Sequence, residues 1–322
     1  MGGLPGDTWP HIPSNLNSEQ LKSYTDKEIA MQVTPAIHAL RHPFKIPVAP
    51  GIAIDRFAYS YFIFGETITL IDTGVAGCEN AIFEYIRSLG RNPSEISLII
   101  LTHSHPDHIG AATAIRQATG CSVMAHPAER AWIEDVERQN RERPVPGFST
   151  LIGGPVSLDH ELAEGDVIDP DGTENYEIQV FHTPGHSAGS VSLLLPAEGA
   201  LFCGDAVPVE GDIPVYDDAR ESVRSVKKLQ AIRGIRVLLS SWDEPQNAEA
   251  AYSQMDRALT YLQQIHDAVI TASADGTVEP MEIAKRTAAL LGLPPQVVTP
   301  LLARTLAANL RERDYKDLNI GT

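Results

Sequence analysis

The chain has 322 residues, 43% hydrophobic and 21% charged, which is enough apolar material for one large domain with an appendage. Its formal net charge of −17 repels nucleic acid and anionic membranes, so neither is expected as a partner. No run of about 18 apolar residues is present to span a membrane, and three cysteines make no disulfide framework; without a basic-then-apolar leader or a complete myristoylation pattern, the expected compartment is the cytoplasm.

Residues 1–36 carry Pro, Asn and Ser with little periodicity and read as an N-terminal arm. One short helix is expected there over 18–31, behind a Ser18-Glu-Gln-Leu21 cap. Residues 45–75 alternate and carry Phe57, Tyr59, Tyr61 and Phe62, which predicts paired strands. The last of them, Thr67-Ile-Thr-Leu-Ile-Asp-Thr-Gly74, ends in Asp72. Residues 79–89 form an amphipathic helix with Ile82, Tyr85, Ile86 and Leu89 on one face.

An apolar strand, Ser97-Leu-Ile-Ile-Leu101, then runs into Thr102-His-Ser-His-Pro-Asp-His108. Three histidines and an aspartate in six positions are the densest set of metal-ligating residue types in the chain. His103 and His105 stand two apart, so on an extended segment they point to the same side. Asp107 and His108 follow where the chain turns helical. One short turn therefore offers ligands in two directions, enough to begin two adjacent metal sites.

After a strand near 121–125, residues 127–160 depart from simple alternation. They read equally as a cover over the site, shaping substrate choice, or as ordinary connection. Within them the basic run Arg138 to Arg143 reads as a solvated helix end, with a grip on an anionic substrate as the alternative. The strand Tyr176-Glu-Ile-Gln-Val-Phe181 leads to Pro184-Gly185, a sharp turn that presents His186. Ala200-Leu-Phe-Cys-Gly-Asp205 is another apolar strand ending in a carboxylate, with Cys203 expected in the core. The loop 207–218 carries Glu210, Asp212, Asp217 and Asp218; it is expected near the site, where it would disfavour anionic substrates.

Residues 247–272 predict a long helix with Tyr252, Met255, Leu259, Leu262, Ile265 and Val269 spaced three or four apart. Helical runs near 280–291 and 297–312 complete the tail. Their apolar stripe needs a surface: the same subunit, a substrate channel or a second subunit, so a homodimer stays open.

With Asp72-Thr-Gly74, His103-Ser-His-Pro-Asp-His108, Thr183-Pro-Gly-His186 and Gly204-Asp205 in that order, the chain resembles the metallo-β-lactamase-fold hydrolase superfamily over roughly residues 45–246. Its spacing is most similar to the glyoxalase II-like branch. The resemblance implies an α+β fold, a four-layer αββα sandwich with the site at one edge between the two sheets. That domain is placed at 37–246, followed by a C-terminal helical appendage at 247–322. The resemblance further implies that His103, His105 and His186 hold one metal, that Asp107 and His108 bind a second, and that Asp205 bridges both. Asp72 would orient ligands without binding metal. Zinc is the implied metal, one or two ions, with iron as the alternative, and the substrate is a small molecule.

One departure stands out. The family closes the second site with a late histidine after a final strand. Here Val237-Leu-Leu-Ser-Ser-Trp-Asp-Glu-Pro245 puts Trp242 in that place, and an indole N–H does not ligate a metal. The second site is expected to be weak, empty, or completed by Asp243 or water. The activity implied is hydrolysis: water activated by the metal attacks the carbonyl of a thioester, lactone or related ester. Asp107 would orient the water and pass a proton to the leaving group. Two other classes stay open, a mononuclear iron sulfur dioxygenase of the same superfamily and a non-catalytic relative that binds a metal or small molecule.

Overall fold

Two sheets account for the strands in the computed structural model, which describes residues 29–49, 51–276, 278–312 and 318. The first sheet runs in the order β1 (Ile29–Gln32), β2 (Ile37–Ala49), β3 (Ile52–Phe64), β4 (Ile68–Ile71), β5 (Ile96–Ile100), β6 (Ser122–Ala125) and β7 (His160–Glu161). It is antiparallel from β1 to β4 and parallel from β4 to β7. The second sheet holds β8 (Val167–Ile168), β9 (Ile178–His182), β10 (Val191–Leu195), β11 (Ala200–Gly204), β12 (Val237–Ser240) and β13 (Gln246–Asn247). In this sheet β11 and β12 are parallel.

The helices, in chain order, are α1 (Cys78–Ser88), α2 (Pro106–Ile109), α3 (Ala112–Thr119), α4 (Arg130–Ile133), α5 (Val136–Glu142), α6 (Phe148–Leu151), α7 (Ala219–Gln230), α8 (Ala248–Ala272), α9 (Pro280–Leu290) and α10 (Pro300–Arg311).

The period of two along each strand sorts side chains into three cores. Between the sheets, Tyr61, Ile71 and Ile100 meet Val180, Leu193 and Phe202. On the outer face of the first sheet, Phe62, Leu70 and Ile99 pack with Ile82 and Ile86 of α1 and Ile115 of α3. On the outer face of the second, Leu194, Leu201 and Cys203 pack with Val226 of α7, Leu262 of α8, Ala284 of α9 and Leu306 of α10. The result is the αββα sandwich with C-terminal helices. Because β4, β10, β11 and β12 are covered on both faces, they read as continuous apolar runs.

The C-terminal stripe finds its surface on its own subunit. The segment opens with β13, an edge strand of the second sheet, and α8 to α10 cover that sheet from outside. Cys203 lies on this outer side, as its place one strand residue from Phe202 requires. Two local expectations change. The helix expected over 18–31 lies outside the described residues as far as Glu28, and Ile29–Gln32 is strand, because its backbone pairs with β2 from Ile29↔Arg41 to Gln32↔His38. Those residues of the expected arm thus belong to the sheet. The last helix starts at Pro300 rather than 297, where the Thr299 side chain accepts the Leu302 N–H and proline takes the first helical position. Among the described residues, no helix is long and apolar enough to cross a membrane.

Candidate metal centre

The parallel strands β4 and β5 deliver the first components. Asp72 follows β4 with φ +55, a left-handed conformation that aspartate tolerates better than most residues. That turn aims its carboxylate sideways. Oδ1 accepts the Thr102 N–H at 2.8 Å, and Oδ2 accepts the Thr102 hydroxyl at 2.7 Å. Oδ2 also lies 2.7 Å from His108 Nδ1. A ring that donates Nδ1–H to Asp72 leaves its Nε2 lone pair facing forward. Asp72 thus fixes the position of the His108 ring.

After β5 the chain stays extended through His105 (φ −63, ψ 150), then Pro106 opens α2 and sets Asp107 and His108 on its first turn. His186 arrives on the loop after β9. Gly185 there has φ +130, and a Cβ on it would sit 2.3 Å from the Ser222 backbone nitrogen, so the loop can approach α7 only with glycine. His186 Nδ1 lies 2.6 Å from the Val215 carbonyl, and donating that hydrogen leaves its Nε2 for the centre. Asp205 follows β11 directly.

One ligand atom from each of His103, His105, His186 and Asp205 lies within 4.8 Å of the others. His186 Nε2 is 2.8 Å from His105 Nδ1 and 3.2 Å from Asp205 Oδ2, and His103 Nε2 is 3.8 Å from that oxygen. The other oxygen, Asp205 Oδ1, faces His108 Nε2 at 3.5 Å, and Asp107 Oδ2 is 3.8 Å from the same nitrogen. Asp205 thus separates two donor sets, as a bridging carboxylate would. His103 Nε2, His105 Nε2, His108 Nε2 and Asp205 Oδ1 are buried without a hydrogen-bond partner. Buried donor atoms without partners carry a heavy desolvation cost unless a ligand satisfies them, and His103 Nε2 and His108 Nε2 both face Asp205.

The electrostatics suit a cation. Burial holds His103 and His105 well below the usual imidazole range, so both are neutral lone-pair donors. Burial also pushes Asp205 upward, but His108 and His186 outweigh it and hold the carboxyl well below its ordinary value. Burial raises Asp107. Nitrogen and carboxylate donors converging in this way fit a divalent metal such as zinc.

Trp242 follows β12 and turns its indole toward the second donor set. Its Nε1–H donates to Asp107 Oδ2 at 3.2 Å. The Arg56 guanidinium lies over the ring, 4.3 Å from its centre, and pairs with Asp212 at 2.8 Å. A donor thus stands where the resemblance calls for a fourth ligand. Asp243, the alternative closing residue, bonds within its own loop, accepting from Glu244 N and Gln246 Nε2.

Glu129 was not foreseen from the sequence. It is 1% exposed. Its Oε2 accepts the Ser104 N–H at 3.0 Å and the Ser104 hydroxyl. Its Oε1 accepts the Gly189 N–H at 2.6 Å and the Ser187 hydroxyl. Ser104 sits between His103 and His105, and Ser187 follows His186, so one carboxylate ties the two ligand loops together. A serine beside each ligand loop was the available signal.

The acidic loop 207–218 does line a pocket with His186, Asp205 and Trp242. Three of its four acids have partners of their own. Asp212 is paired with Arg56, Asp217 with Arg143 at 2.8 Å, and Asp218 caps α7. The segment 127–160 does reach over the site, since Arg143, Val145 and Leu151 share a pocket wall with His105 and Asp107. The basic run splits: Arg138 pairs with Glu142 at the surface, whereas Arg143 is buried.

Comparison with known proteins follows the same lines. The family model for the metallo-beta-lactamase superfamily matches residues 53–240, more than half of the chain. A probable metallo-hydrolase of Methanocaldococcus jannaschii is 28% identical over 194 residues, 57% of this chain and 88% of that protein. A hydroxyacylglutathione hydrolase of a Chelativorans species is 28% identical over 161 residues, 48% of this chain and 52% of that protein. The crystal structure of a metallo-beta-lactamase family protein from Thermus thermophilus superposes with a TM-score of 0.70 at 19% identity, covering 88% of this chain and 95% of that one, which shows the shared fold.

Proposed function

The chain belongs to the metallo-beta-lactamase superfamily, and from that premise we propose that it is a metal-dependent hydrolase cleaving a thioester, lactone or related ester of a small molecule. The observation that carries the reading is the convergence of His103, His105, His186 and Asp205 ligand atoms within 4.8 Å, with His103 Nε2, His108 Nε2 and Asp205 Oδ1 buried and unpartnered. Similarity to a hydroxyacylglutathione hydrolase favours a thioester among these bonds, since an acylglutathione is one.

His103, His105, His186 and Asp205 would hold the first metal, zinc by the chemistry of the donors, with Asp107, His108 and Asp205 offering a second, weaker position. The metal, when bound, supplies Lewis acidity toward a carbonyl oxygen and lowers the pKa of water. Asp107 is the carboxylate left for proton transfer, because Asp205 is surrounded by histidines. Held by the Trp242 N–H through Oδ2, it accepts the proton of the attacking water and returns it to the leaving thiolate or alkoxide. Trp242, Phe44 and Val145 wall the pocket beside it and keep bulk water from the reacting bond.

Turnover of a generic thioester, such as an S-phenyl thioester, tests the reading. Hydrolysis is expected, lost on treatment with a strong chelator and restored by added zinc. Turnover indifferent to the chelator would refute a metal-dependent reaction. Oxygen consumption with a persulfide substrate and iron, without thioester turnover, would favour the dioxygenase alternative.

A further inference from the structure

Beside the metal ligands lies a pocket with both polar and apolar walls. Asp107, His105 and His186 face it on one side. Ile46, Val145 and Leu301 give it an apolar wall. Arg143 also lines it and is 2% exposed. Its Nη1 donates to Asp217 Oδ2 at 2.8 Å, but its Nη2 is buried with no partner.

The hydrogen bonding around Arg143 does not close. Asp217 is 38% exposed, so water shares its charge, and it uses one oxygen on Arg143. A second guanidinium, Arg304 of α10, is near enough to oppose Arg143 electrostatically, and Arg304 Nη2 is also buried without a partner. Burial pushes Arg143 down to about 10, so it stays charged at neutral pH. Glu129 and Asp107 also bear on Arg143, so three carboxylates share its charge, but its Nη2 keeps a spare N–H donor with no partner. A buried cation keeps such a place when something anionic completes it.

We propose that Arg143 is the substrate-recognition residue of this site, its free Nη2 hydrogen-bonding a carboxylate carried by the substrate while the apolar wall holds the chain between that carboxylate and the scissile carbonyl. This rests on the hydrolase reading and narrows it to small acidic thioesters, lactones or esters. A single-charged carboxylate suits the site better than a phosphate dianion, because one spare guanidinium nitrogen is offered and Asp107 and Asp217 stand nearby. Arg143 is specificity-determining; it makes no contact with the reacting atoms.

Two measurements on the zinc-loaded protein test this. The first compares kcat/KM for the S-phenyl monothioester of glutaric acid with that for the same compound bearing an amide in place of the free acid. The unmodified protein should prefer the acid by about 10- to 100-fold, the range of a hydrogen bond to a charged group. Arg143→Gln should collapse the ratio toward one, and Asp217→Asn should raise it by freeing the guanidinium. The second follows the Trp242 indole N–H by NMR during titration with 3-phenylpropionate, 3-phenylpropionamide and phenethyl phosphate. The carboxylate should bind, and its binding should weaken by a similar factor in Arg143→Gln. Tighter binding of the phosphate, or a ratio the same in all three proteins, would overturn the proposal while leaving the hydrolase reading intact. Arg143-dependent carboxylate binding without any thioester turnover would refute the hydrolase reading and keep the anion site. If Arg143→Gln does not fold, Asp217→Asn decides: a ratio no higher than that of the unmodified protein overturns the proposal.

Discussion

A single N–H stands where a further metal ligand was expected. The Trp242 indole can donate but cannot offer a lone pair in its ring plane, and it spends its hydrogen on Asp107 Oδ2 at 3.2 Å. Arg56, stacked over the ring and anchored on Asp212, holds that orientation. The second donor set is therefore Asp107, His108 and Asp205 alone, with one of its oxygens already hydrogen-bonded. One tight and one weaker metal are expected in a titration. Trp242→His should tighten the weaker one by at least about 10-fold, since even residues behind a metal's ligands change affinity by 10- to 100-fold. Two sites of equal affinity, unchanged by the substitution, would contradict this account.

Between elements, the ligand loops after β5 and β9 are far apart in sequence and are held in register by Glu129, just before α4. Its carboxylate accepts from Ser104 and Gly189 backbone N–H groups and from the Ser104 and Ser187 hydroxyls. Gln139 of α5 adds a donor to the Ser104 carbonyl at 2.5 Å. Charge-assisted bonds of this kind, buried, are among the stronger ones in proteins. Glu129→Gln puts an amide N–H against donors, so metal affinity should fall about 10- to 100-fold. Glu129→Asp should recover part of it, and Ser104→Ala or Ser187→Ala should give smaller losses in folded protein. Metal affinity by competition with a chromophoric chelator, with circular dichroism to confirm folding, is the readout. Unchanged affinity in Glu129→Gln would mean that the loops hold themselves.

This also shows where sequence reading stops. Strands ending in Asp72, His103 and Asp205 were legible because apolar runs of strand length each terminate in a ligand type. Glu129 was not, because Pro-Ala-Glu-Arg reads as a polar surface turn, and its burial arises only when residues 104 and 187 converge on it. Arg143 reads as part of a solvated helix end for the same reason: of the three arginines in its run only Arg143 turns inward, at the end of α5, where Asp217 meets it.

For the molecule as a whole, the sandwich concentrates charge at one edge of an otherwise apolar interior. The parallel pairs β4/β5 and β11/β12 send their C-terminal ends there, a topology that gathers residues distant in sequence. The covering α8 to α10 are part of the same structure, sharing a core with β10 and β11, and Leu301 of α10 lines the pocket beside His105 and Asp107. Hydropathy alone showed that the tail's apolar stripe must be covered; the long-range packing that shows by what is written in no single segment. The edge strand β1 escaped notice because four residues are too few for a periodic signal.

His103, His105, His186 and Asp205 stand together as one set of metal donors. Elemental analysis of the full-length protein, purified without added metal and compared with His105→Ala, tests it most directly. At least one zinc, or in its place one iron, is expected per unmodified chain, and almost none in His105→Ala, whose circular dichroism should stay that of a folded αββα protein. Metal-free unmodified protein that takes up no zinc on titration, or a His105→Ala variant that binds as much metal as the unmodified chain, would contradict it.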